Sequence, residues 1–322
     1  MKIGILGTGA IAHKMAKTVK LMGEELYAVG SRSQDKADAF KSEMGVEKAY
    51  GSYEALVSDP ALQLVYIAVP HPWHAAMAKL CLEHGKHVLC EKPFTVNARE
   101  AKDVFALAER KGLLCTEAIW TRYEPSRQII NDIVASGEIG DVRLVTANLA
   151  YQMSHKQRVI DPALAGGALL DVGIYALNFM LMVLGDGWLG VQSQVTKDAS
   201  GLDELACMTF TYPHGVMASL FTGYSFASDR RGIIYGTKGA VQVDNVNNPE
   251  RIRIYDTKRM LVREVPVPPQ LTGFEYEVAA ARKAIEEGRT ECDEMPHEES
   301  IRVMELMDAL RDEWGVTYPF EK

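Results

Sequence analysis

The sequence predicts an α/β fold in which a doubly wound parallel sheet is followed by an α+β domain with an open, mostly antiparallel sheet. Two observations predict it. Over the first 120 residues, short apolar runs alternate with helix-period segments, a pattern typical of strands buried on both faces of a parallel sheet. After about residue 125, the runs alternate apolar and polar side chains, which indicates strands with one solvated face.

The first four predicted strands are short, apolar and bounded by glycine, proline or charged residues. They are Lys2–Leu6, Leu26–Gly30, Leu64–Val69 and Lys86–Cys90. The clearest helix between such strands runs over Asn97–Gly112, where Asn97 can cap the first turn with Glu100 three residues later, and Gly112 ends it. Strand and helix in alternation predict a doubly wound domain.

The second part of the chain has different periodicity. Val142–Gln152 alternates apolar and polar side chains, and shorter stretches around Ala206–Tyr212 and Ile252–Tyr255 do the same. Two helices, Glu275–Glu287 and His297–Trp314, close the chain. The predicted domains are residues 1–120 and 121–322, and the closing helices are able to pack back on the first domain.

Composition and charge exclude several classes of protein. The 322 residues include 35 Lys and Arg against 43 Asp and Glu, so the net charge of −8 argues against a nucleic-acid partner. Five cysteines without paired spacing are typical of reduced thiols, and Met1 leads straight into an apolar strand without a signal peptide. The longest apolar run, Ile174–Leu184, is about half a membrane span. We therefore expect a cytoplasmic protein that binds no membrane, and no metal-site spacing is present.

A glycine-rich motif follows the first strand and opens a helix. It reads Gly7-Thr8-Gly9-Ala10-Ile11-Ala12, a GxGxxA pattern. The first glycine permits the tight turn and the second lets the backbone approach a pyrophosphate, which the helix N-terminus attracts. The strand before the motif and the helix after it favour a dinucleotide site over an ordinary glycine turn. We predict that Gly7, Thr8, Gly9, Ala10 and Ile11 bind the cofactor in a Rossmann fold.

The end of the second strand predicts which cofactor is bound. An NAD enzyme usually has an Asp or Glu here to bind the ribose 2′-hydroxyl, whereas this chain has Ser31-Arg32-Ser33. A guanidinium flanked by hydroxyl groups can bind a 2′-phosphate. The three residues predict NADP, with NAD remaining possible.

Two further segments, Val69–His74 and Glu91–Pro93, lie at the carboxyl ends of predicted strands. Ligands bind at this edge of such sheets. From these segments we predict Pro70, His74 and Glu91 as lining the cofactor pocket, although His74 can equally be a polar residue at a helix start. Lys92, next to Pro93, is predicted to contact the cofactor and to transfer a proton. The alternative for Lys92 is an ordinary surface lysine.

An acidic residue stands inside an otherwise apolar helix. Asp171 and Tyr175 are four residues apart and share one face, and Asn178 follows on the same side. A buried Asp needs a partner. That partner is Tyr175 or a backbone N–H if Asp171 is structural, and Lys92 if it is catalytic.

Together these motifs resemble the Gfo/Idh/MocA oxidoreductase family, over essentially the whole chain. The resemblance rests on GxGxxA, PHPWHAAMA, CEKPFTVNAREA, EAIWTRYEPS and GGALLDVGIYALN, in the family's order and spacing. It implies that Lys92 is the proton-transfer residue and that Asp171 is its partner. Many members have a His where this chain has Tyr175, a departure similar to the branch that contains dihydrodiol dehydrogenase and NADP-dependent D-xylose dehydrogenases.

The resemblance implies hydride transfer between NADP and a secondary alcohol or hemiacetal carbon of a sugar, cyclic polyol or trans-dihydrodiol. The side chains predicted to bind such a substrate are Trp120, Arg122, Tyr123, Tyr151 and Asn178. The family's C-terminal sheet implies a homodimer or higher homo-oligomer. The alternative function is a non-catalytic NAD(P)-binding sensor, but the joint presence of Lys92, Asp171 and Tyr175 favours an enzyme, because a sensor needs no proton relay.

Overall fold

The computed structural model describes residues 1–321, which form two compact units. The first contains Met1–Tyr123 and Gln270–Met304, and the second contains Glu124–Pro269 and the residues from Glu305 onward. The predicted division into residues 1–120 and 121–322 differs from these units. A helix near residue 280 packs against the first helix and the fifth strand, so Gln270–Met304 belongs with the N-terminal residues.

The first unit is built from a six-stranded sheet and flanking helices. Its strands are β1 Lys2–Leu6, β2 Glu25–Gly30, β3 Lys48–Tyr50, β4 Leu64–Ile67, β5 His87–Glu91 and β6 Cys115–Ala118. Its helices are α1 Ala10–Leu21, α2 Gln34–Met44, α3 Tyr53–Val57, α4 His74–Glu83 and α5 Ala98–Lys111, with α9 Glu275–Glu286 and the first part of α10 His297–Trp314. The strand and helix predictions for this unit are confirmed to within one or two residues at each end.

All strands of the first sheet are parallel, in the order β3-β2-β1-β4-β5-β6. The chain moves outward from β1 to β3 and then returns to place β4 on the other side of β1. In a doubly wound sheet, ligands bind at the carboxyl edge where the strand order reverses. That point lies here between β1 and β4, beside the glycine-rich turn after Leu6.

The second unit is built on an eight-stranded sheet. Its strands are β7 Val142–Ala150, β8 Gly190–Lys197, β9 Asp203–Thr211, β10 Met217–Gly223, β11 Gly232–Gly236, β12 Gly239–Asp244, β13 Arg251–Asp256 and β14 Leu261–Val265. Its helices are α6 Pro125–Ala135, α7 Gln157–Ile160, α8 Ile174–Leu184 and the last part of α10. The order is β14-β13-β12-β11-β7-β10-β9-β8, and every pair except β7–β10 is antiparallel. The predicted fold class is confirmed.

The helical stretch that ends at Leu184 is longer than the sequence pattern suggests. Shorter turns precede α8, so the stretch runs over Pro162–Leu184, 23 residues that could cross a membrane by length and composition. Of its most apolar part, 78% is buried inside the protein. Such burial is typical of a core helix, and α8 packs against β7 and β10.

Candidate active site

The turn after β1 has the geometry that a bound pyrophosphate requires. Gly7 has φ +107°, and a Cβ there would lie 2.5 Å from the carbonyl oxygen of Ala68, so only glycine fits. A Cβ on Gly9 would meet no atom within 4 Å, so the protein's own packing does not require glycine at that position. Close approach of a ligand to the backbone does require it.

The N-terminus of α1 completes this cradle. Thr8 and Ile11 are half-buried, Ala10 is exposed, and the first turn of α1 has no acidic residue. The backbone N–H groups of a first helical turn have no partner within the helix, and the helix dipole favours an anion there. The residues of the GxGxxA motif therefore fit a dinucleotide.

The segment after β2 places two hydroxyl groups beside an exposed guanidinium. Ser31 Oγ accepts the N–H of Ser33 at 3.3 Å, and Ser33 Oγ accepts the N–H of Lys36 at 3.5 Å as the cap of α2. Each hydroxyl can still donate its own hydrogen. Arg32 is exposed and bonds the hydroxyl of Tyr53, whose pKa is raised chiefly by burial. These groups fit a phosphate, and the segment has no carboxylate.

His74 has a different position from the one predicted. Its ring is buried, with Nδ1 2.8 Å from the carbonyl oxygen of Pro93 and Nε2 2.8 Å from that of Val69. Burial lowers the pKa of His74, and a neutral ring can donate to only one of the two carbonyls. His74 joins the loop after β4 to the loop after β5 instead of lining the cofactor pocket, whereas Pro70 in the first loop is exposed.

Lys92 lies at the carboxyl end of β5 and is half-buried. Its backbone N–H donates to Glu91 Oε2 at 3.2 Å, and the other oxygen of Glu91 accepts a short hydrogen bond from the hydroxyl of the buried Tyr66. The carboxylate of Glu91 is therefore turned into the first unit, and a contact of Glu91 with the cofactor stays a prediction. Tyr66 carried no sequence signal beyond its place in an apolar strand.

Two of the predicted substrate residues in the first unit are buried in its core. Arg122 is 1% exposed and pairs with Glu299 at 2.5 Å. Tyr123 donates its hydroxyl hydrogen to the carbonyl oxygen of Glu117 at 2.7 Å, with its ring buried. These contacts correct the predicted roles of both residues, because neither side chain is exposed to bind a hydroxyl group of a substrate.

Trp120 is half-buried at the edge of the same unit. Its ring stacks on Phe274, with the centroids 4.5 Å apart. Gly273 has φ +91°, and a Cβ there would come within 2.6 Å of the indole. The fixed aromatic surface of Trp120 keeps its predicted role in substrate binding open.

Asp171 lies in a π-helical turn, Leu169–Gly173, that leads directly into α8. Such turns occur frequently at functional sites. Asp171 is 2% exposed and forms a short ion pair with Arg158, whose side chain is 45% exposed. The sequence patterns do not indicate Arg158, because it precedes Asp171 by 13 residues and lies in the separate, four-residue helix α7.

The other predicted site residues of the second unit are Tyr175, Asn178 and Tyr151. Tyr175 is 8% exposed and follows Asp171 by one turn. Asn178 is fully buried and donates its side-chain N–H to the carbonyl oxygen of Ile174 at 2.8 Å, a local helix contact that does not support substrate binding. Tyr151 is half-buried and donates to Asn247 Oδ1 at 3.3 Å.

The π-helical turn is anchored by a second buried acid. Asp203 Oδ2 accepts the N–H of Leu169 at 2.6 Å, and burial raises the pKa of Asp203 from 3.8 to about 7. Since the folded chain holds this proton more tightly than the unfolded chain, its stabilising contribution is full below pH 3.8 and is lost as the pH rises through 7.

We expect the free energy of unfolding to fall by roughly 2–4 kcal/mol between pH 4 and pH 8 on account of Asp203. Asp203→Asn cannot ionise, so urea unfolding across this range should show a smaller fall for the variant. Asp312→Asn, at an exposed position, is the matched control and should follow the wild type. Equal slopes for wild type and Asp203→Asn would contradict the prediction.

Two family models match the chain. The model described as "Oxidoreductase family, NAD-binding Rossmann fold" matches residues 1–119, and the "GFO/IDH/MocA C-terminal domain" matches residues 128–242. The trans-1,2-dihydrobenzene-1,2-diol dehydrogenase of Bos taurus is 33% identical over 336 residues, which cover 100% of this chain and 99% of the relative. The enzyme of the same name from Homo sapiens is 32% identical over 335 residues, with the same coverage.

Solved structures agree with these matches. A crystal structure of KijD10, a 3-ketoreductase from Actinomadura kijaniata in complex with NADP and TDP-benzene, is similar with a TM-score of 0.87, 26% identity and 97% of each chain covered. The aldose-aldose oxidoreductase of Caulobacter crescentus has a TM-score of 0.87 at 22% identity, over 97% of this chain and 96% of that one, and supports the fold alone. The chain belongs to the GFO/IDH/MocA family of oxidoreductases.

Proposed function

We propose that this protein is an NADP-dependent dehydrogenase that acts on a CH–OH group of a sugar, cyclic polyol or trans-dihydrodiol. The observation that carries the proposal is the carboxyl edge of the first sheet. There the open position at Gly9 and the exposed Arg32 fit a phosphorylated dinucleotide, and Lys92 stands at the end of β5. The NADP-bound ketoreductase and the dihydrodiol dehydrogenases among the relatives support the same cofactor and substrate class.

The proposed chemistry divides between the cofactor and the chain. When bound, NADP supplies or accepts the hydride. The amino group of Lys92 takes the proton of the substrate hydroxyl in oxidation and returns it in reduction. The family resemblance implies that Asp171 and Tyr175, which lie one turn apart in the second unit, also take part in this proton transfer. Arg158 holds the carboxylate of Asp171 in one orientation.

The substrate is proposed to be polyhydroxylated and to contact aromatic side chains. Trp120 and Tyr151 offer half-buried rings, and sugars and cyclic diols present both apolar ring faces and hydroxyl groups to such surfaces. The relatives named for a dihydrobenzene diol substrate support the cyclic-diol part of this range.

The test assays a panel of aldoses, inositols, trans-cyclic diols and dicarbonyl compounds. Each reaction is monitored through the absorbance of NADPH. Turnover of at least one CH–OH compound with NADP, or of its carbonyl partner with NADPH, is the expected result. Binding of NADPH is measured separately through its fluorescence. If NADPH binds but its absorbance changes with none of the compounds, the protein is the non-catalytic sensor and not a dehydrogenase.

We also propose that the protein is cytoplasmic, has no membrane partner and forms a homodimer or higher homo-oligomer through the eight-stranded sheet. Its five cysteines are all free thiols, which is typical of a reducing compartment. Sedimentation equilibrium measures the mass in solution, and a monomer of 35.6 kDa at micromolar concentration would contradict the proposed assembly.

A further inference from the structure

The peptide group between Pro93 and Phe94 is held from both sides by buried ionisable side chains. Its carbonyl oxygen lies 2.8 Å from Nδ1 of His74. Its N–H donates to Oε1 of Glu117 at 2.9 Å. The two contacts fix the plane of this peptide group, which directly follows the peptide that joins Lys92 to Pro93.

Glu117 is itself fixed by its neighbours. It lies in β6, opposite Cys90 of β5, and is 1% exposed. Its second carboxylate oxygen accepts the hydroxyl hydrogen of Ser300 from α10 at 2.8 Å. Its own carbonyl oxygen accepts the hydroxyl hydrogen of Tyr123. The backbone of β6, which pairs with β5 and bonds Tyr123, therefore determines where the acceptor for Phe94 N–H lies, while Ser300 occupies the other carboxylate oxygen.

The position of Glu117 carries an energetic cost. Burial raises the pKa of Glu117 to about 7, although hydrogen bonds from Ser300 and Phe94 and the charge of Arg122 oppose the rise. A buried carboxylate often contributes less to stability than an apolar side chain of the same volume. The ring of Phe94 already anchors the loop, since it is fully buried and stacks on Phe105 with the centroids 4.2 Å apart. Stability alone thus gives little reason for a carboxylate here.

We propose that Glu117 is a positioning residue for Lys92, holding the N–H of Phe94 so that the Lys92 amino group stays aligned for proton transfer. This inference rests on the proposed function, because it assigns Lys92 a reaction to serve. Glu117 acts through the backbone of Phe94, and the charge of Lys92 also acts on its carboxylate. A misplacement of about 1 Å in a catalytic group can lower a rate by about 100-fold.

The test compares Glu117→Met, which keeps the length of the side chain without an acceptor, with Glu117→Gln, whose amide oxygen can still accept from Phe94. Ser300→Ala is the matched control, because it removes the other partner of the carboxylate and leaves the Phe94 contact in place. Four quantities are measured at a temperature well below unfolding: the rate of hydrogen exchange at the Phe94 amide, the dissociation constant of NADPH, and kcat and KM for the fastest compound of the panel.

We expect Glu117→Met to speed exchange at Phe94 at least about tenfold and to lower kcat by about 10- to 100-fold. KM and the dissociation constant of NADPH should stay within about threefold of the wild type, because neither ligand contacts Glu117. Glu117→Gln and Ser300→Ala should keep slow exchange and most of the turnover. If the role of Glu117 is purely structural, both Glu117 variants should lose activity only in proportion to the folded protein that they lose.

The outcomes separate this inference from the proposed function. If Lys92→Met abolishes turnover while Glu117→Met keeps wild-type exchange and kcat, Glu117 has no positioning role and the proposed function stands. If Lys92→Met keeps turnover, Lys92 has no proton transfer to serve, so the inference falls while the dehydrogenase activity stands with another proton-transfer group. If no compound of the panel reacts, both proposals fall. Should Glu117→Met not fold, loss of kcat in Glu117→Gln with slow Phe94 exchange would equally overturn the inference.

Discussion

Replacement of Lys92 by Met should lower kcat by about 10²- to 10⁴-fold, the usual contribution of a positioned acid–base group. Methionine keeps the length of the side chain and removes the amino group that transfers the proton. The affinity for NADPH should change little, because the phosphates of the cofactor are bound at the turn after β1 and not at Lys92. Steady-state kinetics on the best compound of the panel, together with NADPH fluorescence titration, measure both quantities.

The control for this variant is Lys111→Met. Lys111 is an exposed lysine in the last turn of α5, so the substitution changes the same chemistry away from the proposed site. It should leave kcat within about twofold of the wild type, as surface substitutions usually do. Near-wild-type turnover in Lys92→Met would assign the proton transfer to another group.

Replacement of Arg32 by Ala should remove most of the preference for NADP over NAD. A charged hydrogen bond to the 2′-phosphate contributes about 1.5–3 kcal/mol, which corresponds to about 10- to 150-fold in affinity. The wild type should therefore prefer NADP by at least about tenfold in kcat/KM. The variant should bind NADP more weakly and use NAD almost as before, because NAD lacks the phosphate.

Both cofactors are titrated against wild type and variant at one modest salt concentration, since salt screens an exposed phosphate contact. Lys41→Ala, in the last turn of the same helix that Ser33 caps, is the control for a general loss of positive charge. It should keep the NADP preference. Equal efficiency with NAD and NADP in the wild type would make Arg32 an ordinary exposed loop residue.

The fold could be predicted because its strands and helices carry local signals. The apolar runs that became β1, β2, β4 and β5 are short enough to be strands only, and Asn97 does cap α5 by accepting the N–H of Glu100. The glycine requirement at Gly7 is also local, since the positive φ follows from a turn only a few residues long. Such features depend only on residues that are close in the sequence, so they can be predicted without the structure.

The errors concern contacts between distant residues. Arg122 looks like an exposed hydrogen-bonding group beside a site, but its partner Glu299 is reached only through folding. His74 has both ring nitrogens against backbone carbonyls, and no pattern of side chains encodes a carbonyl partner. Glu117 lies in β6, which is not among the predicted strands, so the need of its carboxylate for a buried partner is not apparent.

The return of Gln270–Met304 to the first unit has a consequence for biosynthesis. The N–H of Cys115 in the edge strand β6 donates to the carbonyl oxygen of Thr290, and Nε2 of His297 lies 2.8 Å from the carbonyl oxygen of Cys115. A ribosome that has released only the first 123 residues therefore exposes a sheet edge without its cover, and an uncovered edge invites pairing with other chains. We therefore expect the sheet of the first unit to gain its edge cover only after residues 270–304 have been made, and a chain truncated before them to be more prone to aggregation.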